Sequence, residues 1–134
     1  MSPTTEAHVT RSTCQGVLVL TVTESHLHGD GLMSALGHEL EEAAARDRAG
    51  GVVLDLARVG YLSSAAFRPL LGLRRALRAR GSRLVLCNLS PLVAEVFRVT
   101  RLVSPGQTSA STFDVRPDVA AAVAFLRGAL PAGG

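Results

Sequence analysis

The 134-residue sequence contains no lysine and no tryptophan, and aromatic residues make up only 4% of it. A Walker-type phosphate loop needs a lysine, so this class of nucleotide-binding site is excluded. The scarcity of aromatics disfavours proteins that stack the bases of RNA or single-stranded DNA on exposed rings. Two cysteines, Cys14 and Cys87, are too few for a disulfide framework. This low cysteine content favours a protein of the reducing cytoplasm.

Long hydrophobic runs are also missing, although hydrophobic residues form 47% of the chain. The longest, Val119–Leu126, has eight residues, far fewer than the roughly 18 that a membrane-spanning helix needs. Residues 1–8 do not show the basic and apolar pattern of a signal peptide. The length fits one domain over 1–134. We expect its core to cover about 9–128, with frayed ends at 1–8 and 129–134.

Acidic residues are absent from a central segment, residues 56–94, which carries seven arginines. This basic block and a sequence pI near 9.6 suggest nucleic-acid binding. Five of the arginines share one predicted helix: Arg68, Arg74, Arg75, Arg78 and Arg80. This helix has no Asn, Gln, Ser or Thr with which to contact base edges, and a strand follows it, unlike in a helix-turn-helix. These features disfavour nucleic-acid binding as the main function.

The hydrophobic pattern alternates between strands and helices along the chain. Apolar and β-branched runs predict strands at residues 9–11, 16–24, 51–56, 83–88 and 113–115. Helical spacing predicts four helices, which start near Leu32, Ala66, Ser90 and Pro117. In the first helix, the predicted apolar stripe is Leu32, Leu36, Leu40 and Ala43. This order predicts an α/β sandwich around a partly parallel sheet.

Recognisable catalytic and metal-binding motifs are missing as well. Segment 29–31 precedes a helix but lacks the remaining glycine and the acidic residue of a dinucleotide-binding turn. His26 and His28 can share one face of an extended segment. The nearest further ligands, His38 and Asp30, have no diagnostic spacing. We therefore expect neither an enzyme nor a metal site.

The most informative segment is Tyr61–Ala66, the turn between a buried strand and the arginine-rich helix. It contains two consecutive serines, Ser63 and Ser64. Either hydroxyl could cap the unpaired N–H groups at the start of the helix. Alternatively, a phosphate on one of them would add about −1.5 to −2 charges to a docking face and block a partner. The turn by itself leaves both roles open.

Four segments together resemble the STAS domain family, specifically the bacterial anti-sigma-factor antagonists. In chain order they are Val52–Leu56, Tyr61–Ala65, Leu84–Pro91 and Val96–Leu102, and the resemblance covers about residues 9–128. It implies a STAS-like sandwich, with a mixed sheet of four to five strands and about four helices mainly on one face. It also implies a regulatory protein and not an enzyme.

The resemblance further implies a protein partner and a phosphorylation switch. Members of this family bind an anti-sigma factor that is also a serine kinase; phosphorylation releases the antagonist, and a phosphatase restores it. The kinase brings ATP and magnesium, so the chain itself needs no cofactor. The phosphorylated serine, in a turn usually written Asp-Ser-Ser-Gly, corresponds to Ser64. Ser63 replaces the aspartate and is an alternative acceptor, while Ala65 and Ala66 replace the second serine and the glycine.

The implied partner-binding residues are Leu27, His28, Asp30, Ser63, Ser64, Ala65, Phe67 and Arg68. Ala66 would cost about 1 kcal/mol if the turn needs a positive φ at this position. Pro69 would lie beyond the tolerated first turn if Ser64 were the helix cap, so we expect the helix to begin nearer Ala66 or to bend. These departures leave a second function open: a scaffold that binds partners or forms homo-oligomers without a phosphorylation switch.

Overall fold

The computed structural model describes residues 8–45, 50–99 and 113–129. Its strands are β1 (Val9–Cys14), β2 (Val17–Val22), β3 (His26–Leu27), β4 (Gly51–Asp55), β5 (Tyr61–Leu62), β6 (Arg83–Cys87) and β7 (Asp114–Arg116). Its helices are α1 (Asp30–Ala45), α2 (Phe67–Ala79), α3 (Pro91–Val99) and α4 (Val119–Ala129). A 3₁₀ turn, Ser64–Ala66, directly precedes α2.

Five strands form one mixed sheet in the order β1-β2-β4-β6-β7. β1 and β2 are antiparallel, and the other neighbouring pairs are parallel. The β1–β2 hairpin closes through Gln15 and Gly16, whose φ angles of 51° and 83° suit a tight two-residue turn between twisted strands. The predicted α/β fold is confirmed, although β1 extends to Cys14 where the pattern predicts an end near Arg11.

The two faces of this sheet pack against different helices, because successive residues of a strand point to opposite sides. Val52 and Leu54 of β4 face a large core that includes residues of α1, α2 and α3. Val53, which lies between them, belongs to a smaller core with Ala122 and Leu126 of α4. Three helices therefore cover one face and α4 covers the other, which confirms the prediction of helices mainly on one face.

Local sequence signals mark the ends of several helices. The Ser90 Oγ accepts a hydrogen bond from the Val93 N–H at 3.3 Å, and this bond caps α3. The Asp118 Oδ1 accepts one from the Ala121 N–H at 2.8 Å, which caps α4. Gly81, with φ 78°, follows the end of α2 in the left-handed conformation that glycine adopts without strain. These helix boundaries follow from the residue types alone.

The buried stripe of α1 agrees with the predicted one at Leu36 and Leu40 and differs from it at both ends. Its buried residues are Met33, Leu36, Leu40 and Ala44, and Leu32 and Ala43 are only half-buried. The helix packs against α2 as well as against the sheet: a Cβ added to Gly37 would lie 3.2 Å from the Cβ of Pro69. The contact with α2 helps to determine which apolar residues of α1 are buried. Helical periodicity alone cannot predict this contact, because it takes no account of a second packing partner.

The sequence pattern predicts that His8 belongs to a frayed end, and this prediction is wrong: His8 is part of the folded domain. Its backbone N–H donates to Glu39 Oε1 at 2.7 Å, and its Nδ1 lies 2.7 Å from Glu24 Oε2. Ala129, also predicted to be frayed, is the last residue of α4. The other predicted end residues, 1–7 and 130–134, lie outside the described residues, as does the end of the Val96–Leu102 segment. In the part of the chain that is described, no helix is both long and apolar enough to span a membrane.

A second sheet consists of β3 and β5, which pair in parallel with His26 opposite Tyr61 and Leu27 opposite Leu62. The sequence pattern assigns both segments to loops. Each strand has two residues, and an alternation this short cannot be distinguished from a loop. The pairing brings the loop after β3 next to the serine turn.

Candidate functional site

Backbone hydrogen bonds join the two loops that the sequence singles out. The Ser63 N–H donates to the Leu27 carbonyl oxygen at 2.9 Å, one residue beyond the β3–β5 pairs. On the other side, the N–H groups of Gly60 and Tyr61 donate to the Ser25 carbonyl oxygen at 2.9 and 3.2 Å. These bonds satisfy backbone groups of both loops, so neither loop can shift without losing partners. The serine turn and the loop before α1 therefore form one surface.

Three exposed rings, those of His26, His28 and Tyr61, cluster on this surface. The Tyr61 ring centroid lies 6.1 Å from each histidine centroid, and the two histidine centroids lie 6.4 Å apart. Aromatic pairs are favourable at centroid distances of about 4.5–7 Å. Tyr61 is nevertheless 42% exposed. Exposed tyrosine rings are typical of protein-docking sites. His26 and Tyr61 are not among the partner-binding residues that the sequence predicts, because only the β3–β5 pairing brings them to this surface.

Neither serine caps the following helix with its hydroxyl. Ser63 precedes the 3₁₀ turn in an extended conformation, with φ −93° and ψ 169°, and makes no side-chain capping hydrogen bond. Ala66 occupies the cap position of α2, which also lacks a side-chain cap. Ser64 is exposed, whereas Ser63 is half-buried. The capping role is not realised, and the Ser64 hydroxyl is accessible.

The 3₁₀ turn also accommodates Ala66 and Pro69. α2 begins at Phe67, so Pro69 lies in its first turn, where a backbone N–H has no helical partner to lose. Ala66 has φ −67°, an ordinary helical value, and its side chain is buried. The expected helix start near Ala66 is confirmed. Alanine causes no backbone strain at this position, because a positive φ is not required.

Two of the expected contact residues point into the core. Leu27 is 0% exposed and Phe67 is 7% exposed, and the Phe67 ring packs edge-on against Phe97 with their centroids 5.0 Å apart. The buried side chains of Leu27 and Phe67 therefore support the surface from beneath, which argues against direct contact with a partner. The other expected residues are exposed or half-buried: His28, Asp30, Ser63, Ser64, Ala65 and Arg68.

The arginines of α2 have different environments. Arg68 is exposed. The Arg80 Nη1 instead donates to the Ala44 carbonyl oxygen at 2.6 Å. Arg74 is half-buried, with its guanidinium 6.0 Å from the centroid of the Phe113 ring. Burial lowers the pKa of Arg74 from its ordinary value, and the nearby charge of Arg78 lowers it further. The basic block is therefore only partly a surface feature.

A hydrogen-bonded clamp fixes the end of the strand that leads to the serine turn. Asp55 Oδ1 accepts hydrogen bonds from the Ala57 N–H and from Asn88 Nδ2, both at 2.9 Å. Asn88 has φ 59°, a left-handed conformation that asparagine adopts more readily than most residues. Asp55 ends β4 and Asn88 follows β6, so the clamp ties the carboxyl ends of neighbouring parallel strands. In the sequence, this clamp is indicated by a polar residue at the end of each of the two apolar strands, Asp55 for β4 and Asn88 for β6.

The polar groups of this surface are hydroxyls, imidazoles, the Asp30 carboxylate and the Arg68 guanidinium. Among the described residues, no three or more His, Cys, Asp and Glu side chains are grouped so that they could hold a metal ion. Burial raises the pKa of the Cys87 thiol to about 12, and the charges of Asp55 and Asp118 add to this shift. This thiol is not a reactive nucleophile at neutral pH. The Ser64 side chain, in contrast, is exposed.

Comparison with known sequences gives two matches. The family model described as Mlab, STAS domain, matches residues 18–104. Over 80 residues the chain is 41% identical to BtrV of Bordetella bronchiseptica, which is assigned as an anti-sigma factor antagonist. This alignment covers 60% of the present chain and 63% of the relative. The chain therefore spans less than two thirds of the curated relative that it matches.

Solved structures share the fold at low sequence identity. The anti-sigma factor antagonist SpoIIAA, in its unphosphorylated form, is 18% identical with a TM-score of 0.67, over 92% of this chain and 99% of that one. A chain of the stressosome, a signal integration and transduction hub, is 15% identical with a TM-score of 0.63, over 89% and 96%. These likenesses establish the fold alone. The family match spans β2 to α3, including the serine turn, and the chain belongs to the STAS domain family.

Proposed function

We propose that this protein is an anti-sigma factor antagonist, which binds an anti-sigma factor of the serine-kinase type and is released when Ser64 is phosphorylated. The proposal rests on an exposed Ser64, in a turn without side-chain caps, on a surface built by the pairing of β3 with β5. Membership of the STAS family and the similarity to BtrV support the antagonist role. The likeness to SpoIIAA in its unphosphorylated form is consistent with a phosphorylation switch.

The proposed docking surface consists of His26, His28, Asp30, Tyr61, Ser63, Ser64, Ala65 and Arg68, all exposed or half-buried. A few buried aromatic and arginine side chains usually supply most of the energy of an interface. Tyr61 fits this role because its ring is large and has few rotatable bonds, so little entropy is lost on binding. Beneath the surface, the buried Leu27 and Phe67 keep the serine turn and the neighbouring loop in place.

The partner would carry out the chemistry of the switch. It would bind ATP and Mg²⁺ and transfer the γ-phosphoryl group to Ser64 Oγ. A P–O bond to the serine forms, the bond to ADP breaks, and the hydroxyl proton passes to a base of the kinase. The product adds about −1.5 to −2 charges to the docking surface. Burying this charge in the complex is costly, so the antagonist would dissociate. A phosphatase would restore binding by hydrolysing the phosphate ester.

Ser64 is a better acceptor than Ser63. Ser63 is half-buried, and its N–H is bonded to the Leu27 carbonyl oxygen. Ser64 is exposed and begins the 3₁₀ turn. Phosphoryl transfer requires the hydroxyl to approach the γ-phosphate in line. This approach is easier for an exposed hydroxyl than for one beside a paired strand.

Phosphorylation by the partner kinase tests the proposal. The kinase is isolated by its binding to the wild-type protein, and wild type, Ser64→Ala and Ser63→Ala are incubated with it and ATP. Mass spectrometry then maps the phosphate. We expect it on wild type and on Ser63→Ala, and not on Ser64→Ala. Full transfer to Ser64→Ala would contradict the Ser64 assignment. Failure of the wild-type protein to bind any anti-sigma factor would contradict the antagonist role.

A second candidate function is a scaffold without a phosphorylation switch. It is favoured by the departure of the turn from Asp-Ser-Ser-Gly at Ser63, Ala65 and Ala66, and by the fold shared with a stressosome chain. A scaffold predicts a large and stable homo-assembly, whereas the switch predicts a monomer that binds its partner. Light scattering of the purified protein distinguishes the two.

Nucleic-acid binding receives less support than the basic block suggests. The Arg80 Nη1 donates to the Ala44 carbonyl oxygen, and the Arg83 Nη2 donates to Asp114 Oδ2 at 3.3 Å. Arg74 is half-buried against the protein. These contacts use part of the positive charge within the fold. A nucleic-acid binder would lose affinity steeply with added salt, and the absence of DNA and RNA binding at low salt would eliminate this function.

A further inference from the structure

We infer that Arg68 binds the phosphate of phosphorylated Ser64, so that modification also withdraws this arginine from the docking partner. The inference rests on the proposed phosphorylation of Ser64. The two residues are four positions apart in a continuous helical segment, in which the 3₁₀ turn leads directly into α2. A 3₁₀ turn repeats every 3 residues and an α-helix every 3.6, so Arg68 lies about one turn beyond Ser64 along this segment. Both residues are exposed, so both side chains are on the solvent side of the segment.

Arg68 is available for this role. Within residues 8–45, 50–99 and 113–129, Arg68 forms no ion pair. α2 itself contains no acidic residue that could compete with a phosphate. Two arginines beyond the other end of α2 are engaged elsewhere: Arg80 with the Ala44 carbonyl oxygen and Arg83 with Asp114.

The other charged and titratable groups around the turn lie on the neighbouring segments. β3 and β5 carry His26 and Tyr61, His28 follows β3, and Asp30 begins α1. Arg58, in the connection between β4 and β5, is exposed. Among the arginines of these segments and of α2, Arg68 is the one nearest in sequence to Ser64.

The pairing has a consequence for the switch. A phosphoserine presents three strong acceptor oxygens, and a guanidinium presents parallel N–H donors that match two of them. The phosphate would therefore add negative charge to the docking surface and at the same time occupy its exposed arginine. A partner that uses Arg68 as an attractive contact would lose this contact in addition to meeting the phosphate.

The test uses the full chain with phosphoserine incorporated at position 64 during translation, so no kinase is needed. The second pKa of the phosphate, about 6 in an unperturbed phosphoserine, is measured by ³¹P NMR. The titration compares the otherwise wild-type chain with Arg68→Gln and with Arg75→Gln. The last is a matched control, because Arg75 is also exposed on α2 but lies farther along the helix.

We expect the phosphate pKa to be about 0.3–0.7 units lower in wild type than in Arg68→Gln, the size expected for an exposed ion pair. Arg75→Gln should leave it unchanged, and Arg68→Lys should recover part of the difference. Equal pKa values in wild type and Arg68→Gln would overturn the inference. An equal shift in Arg75→Gln would also overturn it, because the effect would then be one of net charge. If no kinase phosphorylates Ser64, the proposed function fails while this measurement still decides the pairing.

Discussion

The backbone N–H of Ser63 lies 2.9 Å from the carbonyl oxygen of Leu27, and this hydrogen bond joins two loops that are far apart in the sequence. Leu27 is fully buried, whereas His26 and His28 on either side of it are exposed. The buried leucine thus anchors a strand whose neighbouring residues form the proposed docking surface. The integrity of this surface depends on core packing directly beneath it.

Leu27→Ala should destabilise the protein and weaken partner binding together. Removing a fully buried leucine side chain leaves a cavity and typically costs about 2–5 kcal/mol. Urea unfolding followed by circular dichroism measures the loss. His28→Ala is the control: an exposed substitution in the same loop should change stability by no more than about 0.5 kcal/mol. Equal effects of the two substitutions would show that β3 is not anchored by Leu27.

Tyr61→Ala should weaken binding to the anti-sigma factor by about tenfold or more, as expected for an aromatic hot spot. Its effect on folding should be small, because the ring is 42% exposed. Tyr61→Phe retains the ring and its contacts with the histidines, and should keep most of the affinity. Titration calorimetry with the purified partner measures all three proteins. Wild-type affinity for Tyr61→Ala would place the interface elsewhere.

Substitutions at Asn88 should separate the clamp from the backbone conformation. Asn88→Gly removes the hydrogen bond to Asp55 but tolerates φ 59°, and should cost about 1 kcal/mol. Asn88→Ala loses the same bond and also strains the backbone, so it should cost about 1 kcal/mol more. Both values come from chemical denaturation. If the alanine variant were as stable as the glycine variant, the left-handed conformation would not constrain this site.

The two cysteines should differ in reactivity. Burial raises the pKa of Cys87 from its ordinary value of 9.0 to about 12, while Cys14 is half-buried near the hairpin. A thiol reagent at pH 8 should modify Cys14 first and reach Cys87 only after unfolding, because the thiolate is the reactive form. Mass spectrometry of peptides from native and urea-treated protein measures the order. Prompt modification of Cys87 in native protein would contradict its burial.

The same pKa shift predicts how stability changes at alkaline pH. The folded state holds the Cys87 proton more tightly than the unfolded state does. The contribution of the buried Cys87 thiol to the free energy of unfolding is therefore complete below about pH 9. It is lost as the pH rises toward 12, because the thiol of the unfolded state ionises first. Denaturation midpoints of wild type and Cys87→Ala across this range test the sign. The decline with pH should be smaller in the variant, even if the variant is less stable overall. A parallel decline in both proteins would contradict the prediction.

Much of the fold could be predicted from the sequence because its signals are local. Ser90 and Asp118 cap helices through their own side chains, and Gly81 ends α2 with a positive φ. The apolar run at Val52–Leu54 indicates a strand buried on both faces. Such signals operate within a few residues and do not depend on the rest of the chain. The resemblance to the STAS family added the position of Ser64.

The composition of the docking surface was decided by the tertiary structure. β3 and β5 are too short to have a recognisable pattern, and only their pairing brings His26 and Tyr61 together and places Leu27 in the core. The sequence by itself determined the order of strands and helices, because hydrophobic patterns and helix caps depend on residues that are close together in the chain. Which loops meet, and which of their side chains stay exposed, depends on contacts between distant segments, and the three-dimensional packing settles these.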